Sequence, residues 1–326
     1  MHPLSKPWSR YHIIRSLHRW FDSSVPLEPS PPPENLYQKL LRNKNYLLVH
    51  LACLGVIWVG WSWTAVWVAA GLYFLRMFAI TGFYHRYFSH RTFTANRSWQ
   101  LVFAILGNSS AQRGPLWWAA HHRHHHQHAD TERDIHSPIR QGFWWSHMGW
   151  LMDPANFATR REYVKDWVKF PELVWLDRFD KVVPILLGVT LFGAGEILAR
   201  TSPHLGTSGA QLVIWGFFIS TVVLFHATCT INSLSHLLGW RRYDTKDTSR
   251  NNPILAIITL GEGWHNNHHH YPIAARQGFF WWEYDITYYL LVVMSWLGII
   301  SNLRPVPENV RRPQKTKTPA NAPAGG

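Results

Sequence analysis

Three histidine clusters carry most of the chemistry that this sequence could perform. His85 and His90 form the first cluster, and the second and third repeat the spacing His-x-x-His-His at residues 122–126 and 265–269. Positions i, i+3 and i+4 of a helix lie on one face, so each repeat can direct three imidazoles into one interior. Imidazole binds iron, zinc, copper and nickel, so these residues predict a metal site without choosing the metal.

The number and direction of the imidazoles favour two metal ions. The two adjacent histidines of each repeat diverge by about 100° around a helix, so they can serve different ions. His85 and His90 are five residues apart, which fits one helical face poorly and favours ligation of separate ions. His236, which follows Asn232 by four residues, adds a ninth imidazole, and nine are too many for one ion. The predicted dinuclear centre is formed by His85, His90, His122, His125, His126, His236, His265, His268 and His269.

The composition places these clusters in a membrane protein. The chain has 326 residues, of which 47% are apolar and only 16% are charged, well below the quarter that is usual in soluble domains. The formal charge of +13 would suit nucleic acid, but the basic residues flank long apolar stretches instead of forming a patch on a soluble domain. Two cysteines, at positions 53 and 229, exclude a disulfide scaffold and a thiolate zinc site.

Four apolar stretches approach the roughly 20 residues that a helix needs to cross a bilayer. They predict spans at 45–62, 63–83, 182–199 and 210–231. Each pair is joined by a short connection, so we expect an all-α membrane protein with four transmembrane helices in two hairpins. The histidine clusters then lie in a helical cap on the side of the membrane that holds both termini.

Basic residues outside the spans predict the orientation. The N-terminal segment 1–44 and the long segment 84–181 are rich in Lys and Arg, whereas the connection between the last two spans holds Arg200 alone. The positive-inside rule therefore places both termini and the histidine clusters in the cytoplasm. We expect an integral, multi-pass membrane protein.

Three further segments are not counted as spans. Residues 99–111 are too short, and we expect them to be re-entrant or interfacial. Residues 284–300 are expected to form a helix packed at the interface, because a fifth span would place the C-terminus outside. The Pro-, Lys- and Ala-rich segment 304–326 is predicted to be disordered, which leaves 45–303 as the folded domain.

At the histidine clusters the sequence resembles the membrane-bound fatty acyl desaturases, specifically the Δ9 branch that includes the stearoyl-CoA desaturases, in its bacterial form. That family carries an H-x4-H box followed by two HxxHH boxes, which match the three clusters in order. Residues 85–92 read His-Arg-Tyr-Phe-Ser-His-Arg-Thr, and 261–272 match the surroundings of the third box. Residues 232–236, Asn-Ser-Leu-Ser-His, match the family's Asn-Ser-x-x-His. The resemblance runs from about residue 45 to residue 300.

The resemblance implies an O2-dependent enzyme with two non-haem iron ions, in which Asn232 joins the nine imidazoles through a bridging water. It implies a narrow tunnel for a saturated acyl chain and a cis double bond formed at Δ9. Asp130, Asp134 and Glu262 would either orient imidazoles or be surface acids. A separate electron donor is also implied, namely ferredoxin, rubredoxin or cytochrome b5 with an NAD(P)H reductase, together with a location in the bacterial inner membrane.

Several alternatives stay open at this point. Animal acyl-CoA enzymes carry an Arg-Asp pair where this chain has Ala120 and His121, so the head group of the substrate could be CoA, acyl carrier protein, phospholipid or a free acid. The same boxes could perform hydroxylation, or oxidative decarboxylation of a fatty acid to a terminal alkene. A non-enzymatic alternative is a membrane metal-binding protein or transporter, which would place ionisable residues along a path through the spans.

Histidines outside the repeated spacing are expected to have other roles. His50 and His226 lie within the predicted spans, where we expect them to be packed or hydrogen-bonded. The remaining histidines near the clusters are predicted not to be ligands, because they fall outside the shared spacing. These are His121, His124, His128, His136, His147 and His270.

Overall fold

The computed structural model of the protein describes residues 18, 20–25, 39, 40 and 42–312. Within these ranges the chain is helical and has no β-sheet, only isolated β-bridges. The helices of six residues or more are α1 (Lys44–Val59), α2 (Trp63–Ser89), α3 (Arg97–Asn108), α4 (Pro115–His128), α5 (Pro171–Arg178), α6 (Val182–Thr201), α7 (Gly209–Leu237), α8 (Pro253–Ile258), α9 (His265–His270) and α10 (Ile286–Trp296). Shorter helical turns lie at Pro138–Gln141, Trp145–Gly149, Trp150–Met152, Pro154–Asn156, Arg161–Tyr163, Pro203–Leu205 and Glu308–Arg311.

The turn between α1 and α2 is set by two residues. Gly60 ends α1 with a φ of 64°, a conformation that favours glycine. The side chain of Ser62 then accepts a hydrogen bond from a first-turn N–H of α2 and caps that helix. Trp58, Trp61 and Trp63 around the turn are exposed. Exposed indole rings at a helix end are typical of a membrane–water interface.

Three helices in the described part of the chain are long and apolar enough to cross a membrane, namely α2, α6 and α7. The predicted span 45–62 coincides with α1, which is shorter, rising about 24 Å at 1.5 Å per residue, and it stays a prediction. Both α2 and α7 continue past the predicted ends at residues 83 and 231, to Ser89 and Leu237. These extensions carry His85 and His236 on the same helices as the spans, and His90 directly follows α2.

Close contacts join α2 and α6 to α7. A Cβ added to Gly195 of α6 would lie 2.6 Å from the Cα of Gly209, so this approach requires glycine. Arg76 of α2 is buried and donates hydrogen bonds to the hydroxyls of Thr221 at 2.7 Å and Ser220 at 2.6 Å on α7. The guanidinium group of Arg76, which lies within a predicted span, therefore donates its hydrogen bonds to neutral oxygens of the protein. Polar groups that are buried away from water need such internal partners.

Two shorter apolar helices pack beside α2. Helix α10, in the segment predicted to lie at the interface, rises only about 16 Å and is too short to cross a bilayer. It contacts α2 through the hydroxyls of Thr287 and Thr81, 2.6 Å apart. Helix α3, in the segment predicted to be re-entrant or interfacial, buries Phe103 and leaves Ile105 exposed.

The C-terminal segment differs from its prediction. Residues 304–312, expected to be disordered, pack on the folded domain. Val306 is buried in a small apolar cluster with Tyr243, whose hydroxyl donates to the carbonyl of Arg311 at 3.0 Å. The prediction of disorder is therefore wrong for 304–312. The reason is that Val306, in this Pro-rich segment, packs into an apolar cluster formed by residues far away in sequence. Residues 313–326 lie outside the described residues.

Asp177, near the end of α5, fixes the start of α4, the helix with the second histidine cluster. Its carboxylate accepts hydrogen bonds from the N–H of Trp117 at 2.7 Å and from the hydroxyl of Thr159 at 2.6 Å. A carboxylate at this place satisfies a free N–H of the first helical turn. A Cβ on Gly114 would lie 2.3 Å from the Cα of Asp177, so only glycine allows this approach.

Asp177→Asn is expected to remove part of the pH dependence of stability. Burial raises the pKa of Asp177 from 3.8 to about 6, so the folded state holds this proton more tightly than the unfolded state. Its stabilising contribution is present below about pH 4 and is lost as the pH rises through about 6. The variant should therefore gain stability relative to the parent between pH 4 and pH 7, on the order of 2 to 3 kcal/mol.

Thermal unfolding midpoints in detergent, measured at several pH values, test this prediction. Asp244→Asn, at an exposed position, is the control and should follow the parent protein. A constant difference between Asp177→Asn and the parent over this pH range would contradict the prediction.

Candidate metal centre

The three histidine clusters and His236 converge because four separate elements bring them to one place. Helix α4 starts with Pro115 in its first turn and carries the second cluster. The short helix α9 carries the third cluster and begins directly after Trp264, whose indole N–H donates to the carbonyl of Tyr284 at 2.7 Å. The first cluster lies at the end of α2, and His236 lies in the last turn of α7.

Five imidazoles form one group, with one nitrogen of each within 4.8 Å of the others. Nε2 of His268 lies 3.0 Å from Nε2 of His85 and 2.9 Å from Nε2 of His126. Nε2 of His90 lies 2.8 Å from Nε2 of His122. We call these residues group one: His85, His90, His122, His126 and His268.

The joint membership of His85 and His90 corrects the sequence expectation that they serve separate ions. The end of α2, Ala79–Ser89, is π-helical, and the N–H of His90 bonds to the carbonyl of His85, five residues earlier. A π-helix has more residues per turn than an α-helix, so residues five apart come closer to one face. Their ring centroids are 4.9 Å apart. The expectation failed because it assumed α-helical geometry.

Four imidazoles form a second group, whose nitrogens also lie within 4.8 Å of one another. Nε2 of His265 is 3.2 Å from Nε2 of His236. The two adjacent histidines of each repeat fall into different groups, as their separation of about 100° around a helix predicts. We call these residues group two: His125, His236, His265 and His269.

Four carboxylates hold the Nδ1 side of the clustered rings. Asp134 lies 3.1 Å from Nδ1 of His125, Asp130 lies 3.2 Å from Nδ1 of His236, and Glu262 contacts Nδ1 of His85. All three residues were candidates for this orienting role on sequence grounds, and none of them is exposed. A carboxylate on Nδ1 fixes the tautomer and leaves Nε2 directed at the centre of its group.

Asp247 is the fourth carboxylate, and sequence reasoning missed it. It lies 2.8 Å from Nδ1 of His269 and also accepts from the N–H of Ser249 at 2.9 Å. It belongs to an irregular segment, residues 241–252, with no histidine repeat or helical spacing to mark it. Only the folding of this segment against α9 brings the carboxylate to the ring.

Burial and the facing charges set the protonation states of the centre. Burial lowers the pKa of His122, His126, His265 and His268 well below the usual imidazole value. Burial by itself would raise the pKa of Asp130, Asp134 and Asp247, but the facing imidazoles lower each carboxyl pKa well below its usual range. Neutral imidazoles with ionised partners are the form that can bind a cation.

Asp247→Asn is expected to weaken metal binding by roughly 10- to 100-fold, the usual cost of losing a residue that orients a ligand. The amide would still accept the Nδ1 hydrogen of His269, but without the charge that makes this ring more basic. Metal retained after dialysis against a series of chelator concentrations measures the change. Asp244→Asn, three residues earlier at an exposed position, is the matched control. Equal metal loss from both variants would contradict the orienting role.

A buried ion network lies behind His85. Arg86, which is only 1% exposed, pairs with Glu262 at 3.1 Å and with Asp285 at 2.9 Å, and it donates to the carbonyl of Ala275 at 2.7 Å. The amide of Gln277 donates to Glu262 at 3.0 Å. Glu262 is thus held by two cationic or polar partners while it contacts His85. The network ties the end of α2 to the segment after α9.

A cavity opens between the two groups and the interior of the helices. Apolar side chains from α2, α4 and α7 form much of its wall, including Met77, Ile80, Trp118 and Ile231. Asn232 also lines this cavity. Its role as a water-bridged ligand stays a prediction. Imidazoles from both groups reach the same cavity, namely those of His85, His122, His125 and His265.

The other described histidines belong to neither of the two groups, although His136 lies in a smaller cluster of possible ligand atoms with His125 and Asp134. That these histidines are not ligands stays a prediction. His136 comes closest, because its ring stacks on that of His125 with centroids 4.4 Å apart. His270 stacks on Tyr243 with centroids 4.0 Å apart. His50, His147 and His226 contact one another at a separate place.

The donor set fits a pair of transition-metal ions. Nε2 of His269 is buried and has no hydrogen-bond partner in the described residues, while its Nδ1 is held by Asp247. In group one, several Nε2 atoms face one another at about hydrogen-bond distance, although Glu262 already occupies Nδ1 of His85. Neutral nitrogens that converge in this way lack donors for one another, and a cation at the centre of each group satisfies them.

Comparison with known proteins points to one family. A family model described as fatty acid desaturase matches residues 61–292. A probable lipid desaturase from chloroplasts of Arabidopsis thaliana is 38% identical over 246 residues, which are 74% of this chain and 64% of that protein. An acyl-CoA 5-desaturase of Anemone leveillei is 35% identical, with 81% of this chain and 78% of the relative aligned. An sn-1 stearoyl-lipid 9-desaturase of Anabaena variabilis is 35% identical, with 79% of this chain and 91% of the relative aligned.

Proposed function

The chain belongs to the fatty acid desaturase family and is an oxidoreductase that acts on acyl chains, and from this premise we propose that it inserts a cis double bond at Δ9 of a saturated chain with a non-haem diiron centre. The observation that carries the proposal is the pair of imidazole groups facing one apolar cavity. Relatives named as 9-desaturases support the position of the double bond.

Nine imidazoles would hold the two irons, five in group one and four in group two, with Asn232 supporting a water beside group two. A bound iron pair supplies the oxidising chemistry that uses dioxygen and two electrons to remove two hydrogens from adjacent methylenes. The four carboxylates on the Nδ1 atoms would fix the tautomer of their rings and keep the Nε2 atoms directed inward. Nitrogen-rich ligation by neutral rings is compatible with iron.

The walls of the cavity would position the acyl chain. Met77 and Ile80 of α2 and Ile231 of α7 line the cavity, and Trp118 stacks on the ring of His122 with centroids 5.1 Å apart. Apolar walls exclude water and hold neighbouring methylenes close to both groups, which is the positioning that such a reaction requires. The protein therefore contributes orientation and a dry site rather than an acid or base.

We further propose that α1 is a fourth span, so that α1–α2 and α6–α7 form two hairpins. Both termini and the metal centre would then lie on the cytoplasmic side of a bacterial inner membrane. The excess of Lys and Arg in 1–44 and 84–181, against a single Arg200 between α6 and α7, supports this orientation. A separate electron donor, a ferredoxin, rubredoxin or cytochrome b5 with its reductase, would deliver the two electrons.

The proposed activity is tested by the products that the protein makes. Fatty acids and volatile hydrocarbons are profiled by mass spectrometry in a host that expresses the parent protein or His268→Ala, with iron and a competent reductase supplied. A His268-dependent monounsaturated acid with a cis Δ9 bond is the expected result. A His268-dependent terminal alkene or hydroxy acid would replace desaturation by one of its alternatives, and no difference would contradict the proposal.

The head group of the substrate needs a separate experiment. Relatives include proteins named as acyl-CoA desaturases and proteins named as acyl-lipid desaturases. Membranes that contain the protein are supplied with isotope-labelled stearoyl-CoA or with a labelled stearoyl phospholipid. We propose the lipid-linked substrate, because the chain lacks the Arg-Asp pair before its second box, where it has Ala120 and His121. Faster labelling of the product from stearoyl-CoA would contradict this choice.

A further inference from the structure

Three histidines outside both metal groups form a hydrogen-bonded chain. His50 lies on α1, His226 on α7 and His147 in the helical turn Trp145–Gly149. Nε2 of His50 is 3.1 Å from Nε2 of His226, and Nδ1 of His226 is 3.0 Å from Nε2 of His147. The expectation that His50 and His226 are hydrogen-bonded is confirmed, and we call the three residues the imidazole chain.

Both ends of the imidazole chain contact oxygen atoms that act as hydrogen-bond acceptors. At one end, Nδ1 of His50 is 2.8 Å from the carbonyl oxygen of Tyr46, which can only accept. At the other end, Nδ1 of His147 is 3.0 Å from the hydroxyl oxygen of Ser233. That hydroxyl donates its hydrogen to the carbonyl of Cys229 at 2.9 Å, so it has only a lone pair to offer His147.

The three imidazole rings carry too few N–H hydrogens to make all four of these contacts hydrogen bonds. One hydrogen is needed at Tyr46, one at each of the two ring-to-ring contacts and one at Ser233, which makes four. Three neutral imidazoles carry only three N–H groups. One contact must therefore place a lone pair against a lone pair at about 3 Å, or the chain must gain a fourth hydrogen. The same conclusion holds for every choice of tautomers.

The arrangement favours a proton over a metal ion as the missing cation. A metal needs ligand atoms that converge on one point, but His226 uses its two nitrogens for two different neighbours. Among the described residues, the clusters with three converging ligand atoms do not include these histidines. We propose that the imidazole chain is a proton-binding site that takes up a single proton shared by its three rings.

The groups that face the chain do not supply this charge themselves. The titratable neighbours are the phenol of Tyr46, whose ring centroid lies 4.2 Å from that of His50, and the thiol of Cys229, which interacts with that phenol. Both groups ordinarily titrate above pH 8. Aromatic rings cover the rest, with Phe143 stacked on His147 and Phe225 beside His50. No carboxylate in the described ranges pairs with these rings.

An open groove lies beside the segments that carry His50 and His147. Leu47, Trp145 and Gly149, which lie two or three residues from His50 or His147, line this groove, and its charged residues are Lys39, Arg42 and Asp153.

Burial lowers the pKa of His147, so uptake is expected below the usual imidazole value of about 6.5. The bound proton would complete a link between α1, α7 and the turn that carries His147. This inference does not depend on the proposed enzymatic activity.

Nitrogen NMR of the full-length protein tests the inference. The protein is labelled with 15N-histidine, placed in lipid nanodiscs and titrated from pH 8 to pH 4.5, and the spectrum of His226→Gln is subtracted to isolate the chain. We expect the three rings to shift together with one midpoint, gaining one proton in total. His204→Gln, in the exposed connection between α6 and α7, is the control and should leave these resonances in place.

The titration distinguishes one shared proton from independent protonation of the three rings and from metal binding. Independent midpoints for the three rings, no uptake in this pH range, or displacement of the proton by one equivalent of Zn²⁺ would each overturn the proposal. Loss of the common midpoint in His226→Gln, with independent titration of His50 and His147, would support it. His50→Gln provides the same interruption if His226→Gln does not fold, and retained metal content shows that either variant is folded.

Discussion

His268→Ala should abolish desaturation and reduce the bound iron from two ions per chain to one or fewer. The Nε2 of His268 contacts the Nε2 atoms of His85 and His126 at 3.0 and 2.9 Å, which makes it the most connected nitrogen of group one. Its loss leaves a buried gap that water cannot fill with the same geometry. The loss of activity should exceed the roughly 10- to 100-fold effect of removing a residue that only orients a ligand.

Iron content and product formation are measured on the same purified preparations. His270→Ala is the matched control, because His270 is the next residue but one on the same helix and stacks on Tyr243 outside both groups. The control should keep two irons and most of the activity. Loss of iron from both variants would mean that α9 unfolds, and full activity of His268→Ala would contradict its place in the metal centre.

Arg86→Met should destabilise the protein by about 3 to 5 kcal/mol, the cost of breaking a buried ion pair on one side. The guanidinium group is 1% exposed and faces both Glu262 and Asp285. Without it, two buried carboxylates lose their counter-charge, and Glu262 can no longer hold Nδ1 of His85 as firmly. We therefore expect lower iron content together with lower stability.

Thermal unfolding in detergent measures this effect against Arg97→Met. Arg97 also forms a close pair, at 2.7 Å with Glu172, but its side chain is 65% exposed. A surface pair of this kind contributes at most about 1 kcal/mol. Similar destabilisation in the two variants would show that burial does not decide the cost. Arg86→Lys should fall between them, because it keeps the charge but loses the planar fork that reaches both carboxylates.

The sequence determined the parts of the molecule that depend on local spacing. The apolar stretches predicted the positions of α1, α2, α6 and α7, because span length follows from the thickness of a bilayer. The repeated His-x-x-His-His spacing predicted imidazoles on one helical face and divergent neighbours, because both follow from 3.6 residues per turn. His122, His126 and the neighbouring His125 accordingly fall into two groups.

Tertiary structure decided the features that join distant segments. Asp247 reaches His269 only because an irregular loop folds against α9. Val306 is buried only because the C-terminal segment packs against an apolar cluster around Tyr243. The end of α2 that unites His85 and His90 is π-helical and buried throughout, a geometry that α-helical spacing does not predict. The imidazole chain likewise joins three elements that are 79 to 176 residues apart in sequence. Helical periodicity is a local property, so the spacing of residues along the chain can predict it. These contacts depend instead on how whole helices pack, which residue spacing does not predict.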